Sequence, residues 1–362
     1  MRKTVLVAGA SGVVGVAAVR HFSSLPEVDV IALSRRKPHD RTAARWLSVD
    51  LRDRSASQSH AQEFARVTHL VYAALFEKPN LLAGWQEADQ IATNAMMFSN
   101  ILDVLCTSSR KLRHITLLQG TKAYGIHVRA IPTPAREDRD ESYDIPNFYW
   151  QQESALKAKA AERGFSWTIF RPQGIFGESF GSAMNVIAAL GTYAAVLKDD
   201  GEPLHYPGGD PNIMEATDSG VLARAIAWAG ETSGASGQAY NITNGDVFRW
   251  QEVWPAIAEA CGMPPGDTRP MSLADEMPRR IPQWDRIRGR HNLVAPALMD
   301  FVGLSFQFAD SMLGYGDPTR AAPGIVSTVK IRQAGFTETL DTEKMLRTWF
   351  RSFQAKRLLP SA

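Results

Sequence analysis

The chain has 362 residues, 44% of them hydrophobic, which is enough for a full α/β domain and a smaller lobe. A net charge of +2 gives no sign of a nucleic-acid or membrane-surface partner, and two cysteines cannot build a disulfide framework or a structural zinc site. Because the sequence contains neither a membrane-spanning apolar run nor a signal peptide, we expect a cytoplasmic protein. No metal site is predicted.

The segment TVLVAGASGVVGVAAV, residues 4–19, predicts a buried strand, a glycine turn and a helix. Its first apolar residues, Val5 to Ala8, are typical of a parallel strand covered on both faces. We expect Gly9 to form the turn, Gly12 to admit a pyrophosphate close to the backbone, and Gly15 to let the helix pack on the strand. A plain strand-to-helix turn is the alternative, since glycine spacing alone is weak evidence.

The second predicted strand, Val28 to Leu33, is followed by Ser34, Arg35 and Arg36. NAD-binding folds usually place a carboxylate here, whereas an arginine accommodates the 2′-phosphate of NADP. These residues therefore predict NADPH as the cofactor. The alternative is that both arginines are simply solvated loop residues.

Strands and helices continue to alternate. The third strand is predicted to end at 46–51, where Asp50 and Leu51 would hold the adenine unless Asp50 caps the next helix. Further strands are predicted at His69–Ala74, His114–Leu118 and Trp167–Phe170, with helices at Asp89–Leu105 and from Asn147 onward. This order predicts an α/β fold with a doubly wound, parallel Rossmann sheet.

The second half of the chain predicts a smaller, mainly helical substrate lobe. We expect a helix at 179–195, a turn or hairpin at 205–209, a helix from 215 to about 228, and a strand at 238–243. Many Trp, Met and Phe residues between 250 and 312 are assigned to a core, or else to a cleft for a flat, apolar substrate. The predicted boundaries place the Rossmann domain at 1–178, continued by about 213–247 and 325–335, the lobe at 179–212 and 248–324, and a C-terminal helix at 336–362.

The motifs GASGVVG (9–15), RPQGIFG (171–177) and the Tyr-Gly pair at 124–125 resemble those of extended short-chain dehydrogenases/reductases. In that superfamily, a Ser or Thr four residues before the Tyr-Gly pair and a lysine four residues after a helix tyrosine complete the catalytic set. Gly120 and Glu153 occupy these positions here. The usual triad therefore lacks its serine and its helix lysine.

A lysine is present instead at Lys122, in the loop that lacks the serine, and the helix tyrosine is retained as Tyr149. With LLQGTKAYG (117–125) and NFYWQQE (147–153), this arrangement resembles the progesterone 5β-reductase/iridoid synthase-like group of extended short-chain reductases. Segments 34–36, 49–51 and 171–177 agree as well. Trp150 and Ala123 depart from the residues common in the group. These differences affect the expected identity of the substrate more than the expected type of reaction.

The resemblance implies NADPH-dependent reduction of the C=C bond of an enone, with hydride delivered to the β-carbon. The developing enolate needs a donor aimed at its oxygen, and Tyr149 is predicted to supply it. A nearby Lys122 charge is expected to orient the hydroxyl and to favour its phenolate form. Taken singly, a buried aromatic residue and a solvated lysine are the ordinary alternatives.

The residues predicted to contact the cofactor follow the strand ends and the first helix turn, and Pro172 and Ile175 are expected to shape the nicotinamide pocket. The full set is Gly9, Ser11, Gly12, Val13, Val14, Gly15, Ser34, Arg35, Arg36, Asp50, Leu51, Tyr72, Ala73, Ala74, Gln119, Gly120, Tyr149, Pro172 and Ile175.

Two other functions are open at this stage. A sugar-nucleotide epimerase or dehydratase is one, although Glu153 argues against it, and a non-catalytic NADP(H)-sensing regulator is the other. For the enzyme we expect a small apolar enone as substrate and no nucleic-acid or membrane partner. The frequency of two-fold dimers among soluble proteins favours a homodimer.

Overall fold

The computed structural model describes residues 2–39, 42–79, 84–210, 212–316 and 323–362. The chain divides into two units. The first comprises Met1–Gln173, Ser219–Thr243 and Ile325–Glu338, and the second comprises Gly174–Asp218, Asn244–Gly324 and Thr339–Ala362. The first division thus falls at residue 173, earlier than the boundary predicted at 178.

Seven parallel strands in the described part of the chain form the sheet of the first unit. They are β1 (Lys3–Ala8), β2 (Val28–Ser34), β3 (Arg45–Ser48), β4 (His69–Tyr72), β5 (His114–Leu118), β6 (Ser166–Pro172) and the strand Gln238–Ile242. Their order across the sheet is Gln238–Ile242, β6, β5, β4, β1, β2, β3. The predicted parallel Rossmann sheet is confirmed.

Burial on both faces explains the apolar runs of the central strands. In β1, the side chains of Val5, Leu6 and Val7 are fully inaccessible to solvent. Burying each of them stabilises the fold by roughly 1.5–3 kcal/mol relative to exposure. The register aligns Ala8 with Leu33 and with Tyr72, so the carboxyl ends of β1, β2 and β4 lie along one edge of the sheet.

Helices flank the sheet in the first unit. In chain order they are Val13–Ser23, Arg54–Gln58, Ala61–Phe64, Ala88–Ser108, Phe148–Arg163, Ser219–Ala229 and Val329–Gln333. The chain also makes short 3₁₀ turns, of which Thr121–Tyr124 follows β5 directly. Among the described residues, no helix combines the length and the apolar character that a membrane span requires.

The second unit is mainly helical, as predicted. Its helices are Val186–Asp199, Trp250–Ala260, Leu273–Glu276, Ile281–Arg290, Leu298–Val302, Ser305–Met312 and Thr342–Ala355. Trp250, Trp284, Phe301, Phe350 and Phe353 are buried together in its core, which confirms the core interpretation of this aromatic-rich region. Met299 is an exception, because 42% of it is exposed.

Several predicted boundaries were wrong. The helix expected from residue 179 begins at Val186, because the side chain of Asn185 caps it by accepting a bond from the Ala188 amide. The expected turn at 205–209 is partly a strand, Leu204–Tyr206, which pairs in parallel with Pro265–Thr268. The helix expected from residue 215 begins at Ser219, since Thr217–Asp218 pairs with Ile175–Phe176, and the third strand ends at Ser48.

Candidate active site

The three glycines of the first loop differ in how far the protein's own packing requires them. Gly9 has a φ of +86°, and a Cβ atom there would lie 2.6 Å from the backbone carbonyl carbon of Ala73. A Cβ atom on Gly15 would lie 2.1 Å from the carbonyl oxygen of Gly9. A Cβ atom on Gly12 would lie 3.5 Å from the same oxygen, which is ordinary contact. The fold therefore requires Gly9 and Gly15, whereas packing within the described residues does not require glycine at position 12.

The helix Val13–Ser23 begins without a side-chain cap. Gly12 is its N-cap residue, and the first turn carries no acidic side chain. Free amides at a helix N-terminus favour an anion through hydrogen bonds and the helix dipole. Ser11 and Val14 are half-buried beside this turn and Val13 is buried. The loop therefore fits the pyrophosphate of a dinucleotide.

The turn after β2 is fixed by Ser34. Its hydroxyl donates to the carbonyl oxygen of Arg36 at 2.5 Å and accepts from the indole nitrogen of Trp46 at 3.3 Å. Arg35 and Arg36 are exposed on this turn. Two cationic side chains are thereby presented at the carboxyl end of β2, where the sequence predicts the cofactor phosphate.

The other predicted adenine-side residues already have internal contacts. Arg52 binds the carboxylate of Asp50 at 2.6 Å and holds its pKa below the usual range. Leu51 is buried in the core. The Tyr72 ring is also buried, packing edge-on against Phe98 with ring centroids 4.8 Å apart.

Small residues border the glycine loop at the end of β4. The amide of Ala73 donates to the carbonyl oxygen of Ala8 at 2.9 Å, and the Ala73 backbone is the group that excludes a side chain at Gly9. Ala73 and Ala74 are both half-buried. The groups that adjoin the glycine loop at this edge are therefore backbone atoms and methyl groups, not the Tyr72 hydroxyl.

The structure brings Gly120, Tyr149 and Pro172 together. A Cβ atom on Gly120 would lie 3.4 Å from the Tyr149 Oη atom and 3.6 Å from the Pro172 carbonyl oxygen. Asn147 links the loop to the tyrosine helix, because its side chain accepts from the Tyr149 amide at 3.1 Å and donates to the Lys122 carbonyl oxygen at 3.2 Å. The position of the missing serine therefore adjoins the tyrosine hydroxyl.

Lys122 and Tyr149 contact the same indole ring. The Lys122 Nζ atom lies 4.0 Å from the Trp85 ring centroid, and the Tyr149 ring meets Trp85 edge-on with centroids 5.6 Å apart. The Trp85 Nε1 atom donates to Glu77 at 3.0 Å. Sequence reasoning missed Trp85 and Glu77, because they follow β4 outside any motif.

The protonation of the tyrosine differs from the expectation. Burial raises the pKa of Tyr149, the Glu77 charge raises it further, and Arg171 opposes both effects. Burial lowers the pKa of Lys122, while Glu77 raises it. Tyr149 is therefore a neutral phenol that can donate a hydrogen bond, and the expected phenolate character is not favoured.

Glu153, at the position of the usual lysine, belongs to a buried charge network. It accepts from the Gln119 amide at 3.1 Å and from Lys157 at 2.6 Å, and it lies 3.7 Å from a guanidinium nitrogen of Arg171. Arg171 is 1% exposed and also donates to Glu141 at 2.8 Å. The Gln119 carbonyl oxygen accepts from Arg171 at 2.9 Å, so both ends of this amide are occupied.

Ile175 belongs to the second unit and pairs with Thr217 in a short parallel sheet. No group of His, Cys, Asp or Glu side chains able to hold a metal occurs in the part of the chain that the structure describes.

The chain belongs to the NAD dependent epimerase/dehydratase family, whose sequence profile matches residues 5–243. The fold agrees with this assignment. A UDP-glucose 4-epimerase of Thermus thermophilus, solved with NAD, superposes with a TM-score of 0.68 at 18% identity, covering 97% of this chain and 99% of that one. An epimerase of Methanothermobacter thermautotrophicus gives a TM-score of 0.70 at 17% identity, covering 98% and 92%.

Curated relatives define the subgroup more closely. The (S)-8-oxocitronellyl enol synthase of Antirrhinum majus is 29% identical over 378 residues, 98% of this chain and 92% of that protein. The 3-oxo-Delta(4,5)-steroid 5-beta-reductase of Arabidopsis thaliana is 27% identical over 376 residues, again 98% and 92%. These relatives confirm the resemblance to the progesterone 5β-reductase/iridoid synthase-like group.

Two alanine substitutions in the glycine loop separate ligand binding from folding. We expect Gly12→Ala to change the free energy of unfolding by no more than about 1 kcal/mol and to weaken dinucleotide binding by at least about tenfold. Gly15→Ala, the matched control, should fail to fold stably because its Cβ atom would overlap the Gly9 carbonyl oxygen. Urea unfolding and fluorescence titration with NADPH measure the two effects, and unchanged binding by Gly12→Ala would contradict the assignment.

Restoring the usual helix lysine should damage the protein. Glu153→Lys places an ammonium group beside the buried Arg171 guanidinium, so we expect a loss of roughly 3–5 kcal/mol in the free energy of unfolding. Glu153→Gln keeps the shape and an acceptor oxygen, and it should cost less. Denaturant unfolding of both variants checks this, and a Glu153→Lys protein as stable as the wild type would refute the network's role.

Proposed function

We propose that this protein is an NADPH-dependent reductase of the C=C bond of enones. The observation that carries the proposal is that Lys122, in the loop after β5, and Tyr149, on the following helix, contact the same Trp85 ring. The curated relatives include proteins named as an enol synthase and a steroid 5-beta-reductase. Lys122 and Tyr149 thus share one aromatic neighbour in this chain.

Gly120 supports a role for the Tyr149 hydroxyl toward the substrate. Gly120 has a φ of −176°, an extended conformation open to any residue. The backbone therefore does not require glycine there. The missing side chain leaves space against the Tyr149 Oη atom, and we propose that the substrate carbonyl oxygen uses it.

NADPH supplies the hydride when it is bound, and the residues of this chain bind it and stabilise the charge that develops on the substrate. The glycine loop would hold the pyrophosphate, with Arg35 and Arg36 on the 2′-phosphate. The neutral Tyr149 donates a hydrogen bond to the carbonyl oxygen as it becomes an enolate oxygen. The Lys122 charge stabilises the same enolate, and burial strengthens both interactions because little water competes.

Epimerase chemistry is less favoured by this site. The usual short-chain mechanism needs a lysine four residues after the tyrosine. Glu153 stands there and is bound to the Arg171 network. The similarity to solved epimerases supports the fold, whereas the side chains support reduction.

The proposed reaction is tested by NADPH oxidation with 2-cyclohexen-1-one and progesterone. Tyr149→Phe removes the proposed donor and should lower kcat about 10²–10³-fold. Lys122→Ala should lower kcat with little change in NADPH binding. Tyr143→Phe serves as the matched control, because Tyr143 is 61% exposed, and it should retain activity.

Tyr149→Phe with wild-type turnover would remove Tyr149 from the mechanism. Tight NADPH binding without turnover across a panel of enones would instead favour a sensing role over catalysis.

Cofactor selectivity gives an independent test. Replacing Arg35 and Arg36 together by alanine should weaken NADPH binding about tenfold or more, because both proposed phosphate contacts are lost, and should change NADH binding much less. Lys37→Ala is the control, since this exposed lysine adjoins the same turn. Isothermal titration with both cofactors measures the difference, and equal losses for NADPH and NADH would remove the phosphate assignment.

A further inference from the structure

Trp85 makes contact with an acidic and a basic side chain through different parts of its ring. Its Nε1 atom donates to the Glu77 Oε1 atom at 3.0 Å, and the Lys122 Nζ atom lies over its face, 4.0 Å from the centroid. The Glu77 Oε2 atom is buried and has no hydrogen-bond partner among the described residues. The indole therefore connects a poorly solvated carboxylate with a poorly solvated ammonium group.

Burial disfavours the charged form of both groups, and each charge opposes this effect on the other. Burial lowers the pKa of Lys122 and Glu77 raises it, while burial raises the pKa of Glu77 and Lys122 lowers it. A cation above an indole face is further stabilised by the negative charge of the ring face. The indole N–H group stabilises the carboxylate at its other edge.

The other titratable groups near Lys122 do not replace Glu77. The His127 ring packs edge-on against Trp85, and burial together with the Lys122 charge lowers its pKa to about 4, so it is neutral at pH 7. Tyr149 is also neutral, because burial raises its pKa. Glu77 is therefore the carboxylate, in the described part of the chain, whose charge acts on Lys122.

Neighbouring charges are already paired. Arg171 binds Glu141, and Lys78, the residue after Glu77, binds Glu87 and Asp89. Lys78 thus does not neutralise Glu77 through an ion pair in the described structure. The Glu77 charge therefore acts toward Trp85 and Lys122 without being neutralised by Lys78.

We propose that Glu77 and Trp85 are positioning residues that keep the Lys122 side chain charged and held against the Trp85 ring that Tyr149 also contacts, an inference that rests on the proposed role of Lys122 in enone reduction. Glu77 supplies the opposing charge. Trp85 fixes that carboxylate with its N–H group and seats the ammonium group on its face. Neither residue touches the reacting atoms.

The titration of Lys122 tests this directly. In protein labelled with ¹³Cε-lysine, the Lys122 resonance is assigned by its absence in Lys122→Arg, and its chemical shift is followed against pH. Glu77→Gln removes the charge but keeps an oxygen for the indole N–H group, so the Lys122 midpoint should move about one pH unit or more toward acid. Trp85→Phe keeps a ring and loses the N–H group, so a smaller shift in the same direction is expected.

Glu87→Gln is the matched control. It removes a carboxylate ten residues along the chain that pairs with Lys78, and it should leave the Lys122 midpoint unchanged. In enone reduction, kcat should fall at high pH as Lys122 loses its proton. The midpoint of this fall should move toward acid in Glu77→Gln by the same amount as the Lys122 midpoint. A purely structural role for Glu77 would lower kcat without moving this pH dependence.

The two proposals fail in different ways. An unshifted Lys122 midpoint in folded Glu77→Gln overturns the inference, even if Lys122→Ala abolishes enone reduction. A shifted midpoint in a protein that reduces no enone upholds the inference about charge and removes the proposed function. If Glu77→Gln does not fold, the Lys122 midpoint in Trp85→Phe is the deciding measurement. A shift toward acid supports the inference, and an unshifted midpoint counts against it.

Discussion

A buried guanidinium group determines how the candidate active site is assembled. Arg171, at the end of β6, is almost inaccessible to solvent and requires carboxylates for its charge. Glu153 is one of them, and it stands one helical turn after Tyr149. A lysine at that position would oppose Arg171, and in the proposed mechanism the positive charge comes from another element. The loop after β5 would provide it through Lys122.

The same network connects the strands that carry the site. Gln119, the residue after β5, bonds to both Arg171 and Glu153, and so joins the ends of β5 and β6 to the tyrosine helix. Gly120 and Lys122 follow directly. The network thus fixes the strand end from which Gly120 and Lys122 follow, and glycine at position 120 leaves the Tyr149 hydroxyl without a serine neighbour.

Local patterns in the sequence predicted the parts of the molecule that are determined by burial and backbone conformation within one short segment. The apolar run of β1 and the glycine turn were recognisable because burial and backbone approach restrict those positions, and β5 was predicted at its observed bounds of His114–Leu118. Contacts between distant segments could not be predicted. Leu204–Tyr206 pairs with Pro265–Thr268, and Trp85 contacts Lys122, across sequence separations that hydrophobic periodicity does not reveal.

The start of the helix at Val186 was missed for a related reason. The segment from 179 to 185 was joined to the Ala-rich run that follows it, but it contains Gly181 and two serines, and Asn185 bonds to Ser179 as well as to the helix amide. This side chain therefore stabilises a non-helical segment before the helix. Competition between side-chain and backbone hydrogen bonds decides such boundaries, and composition alone does not reveal which one prevails.

The room around Gly12 has an evolutionary consequence. A methyl group there would make only ordinary contact with the described residues, so a descendant carrying alanine would keep its architecture while losing affinity for the proposed cofactor. Gly9 and Gly15 offer no such freedom, since a side chain there would overlap the backbone. Position 12 is thus the one of the three at which the proposed nucleotide binding, rather than folding, would restrict substitution.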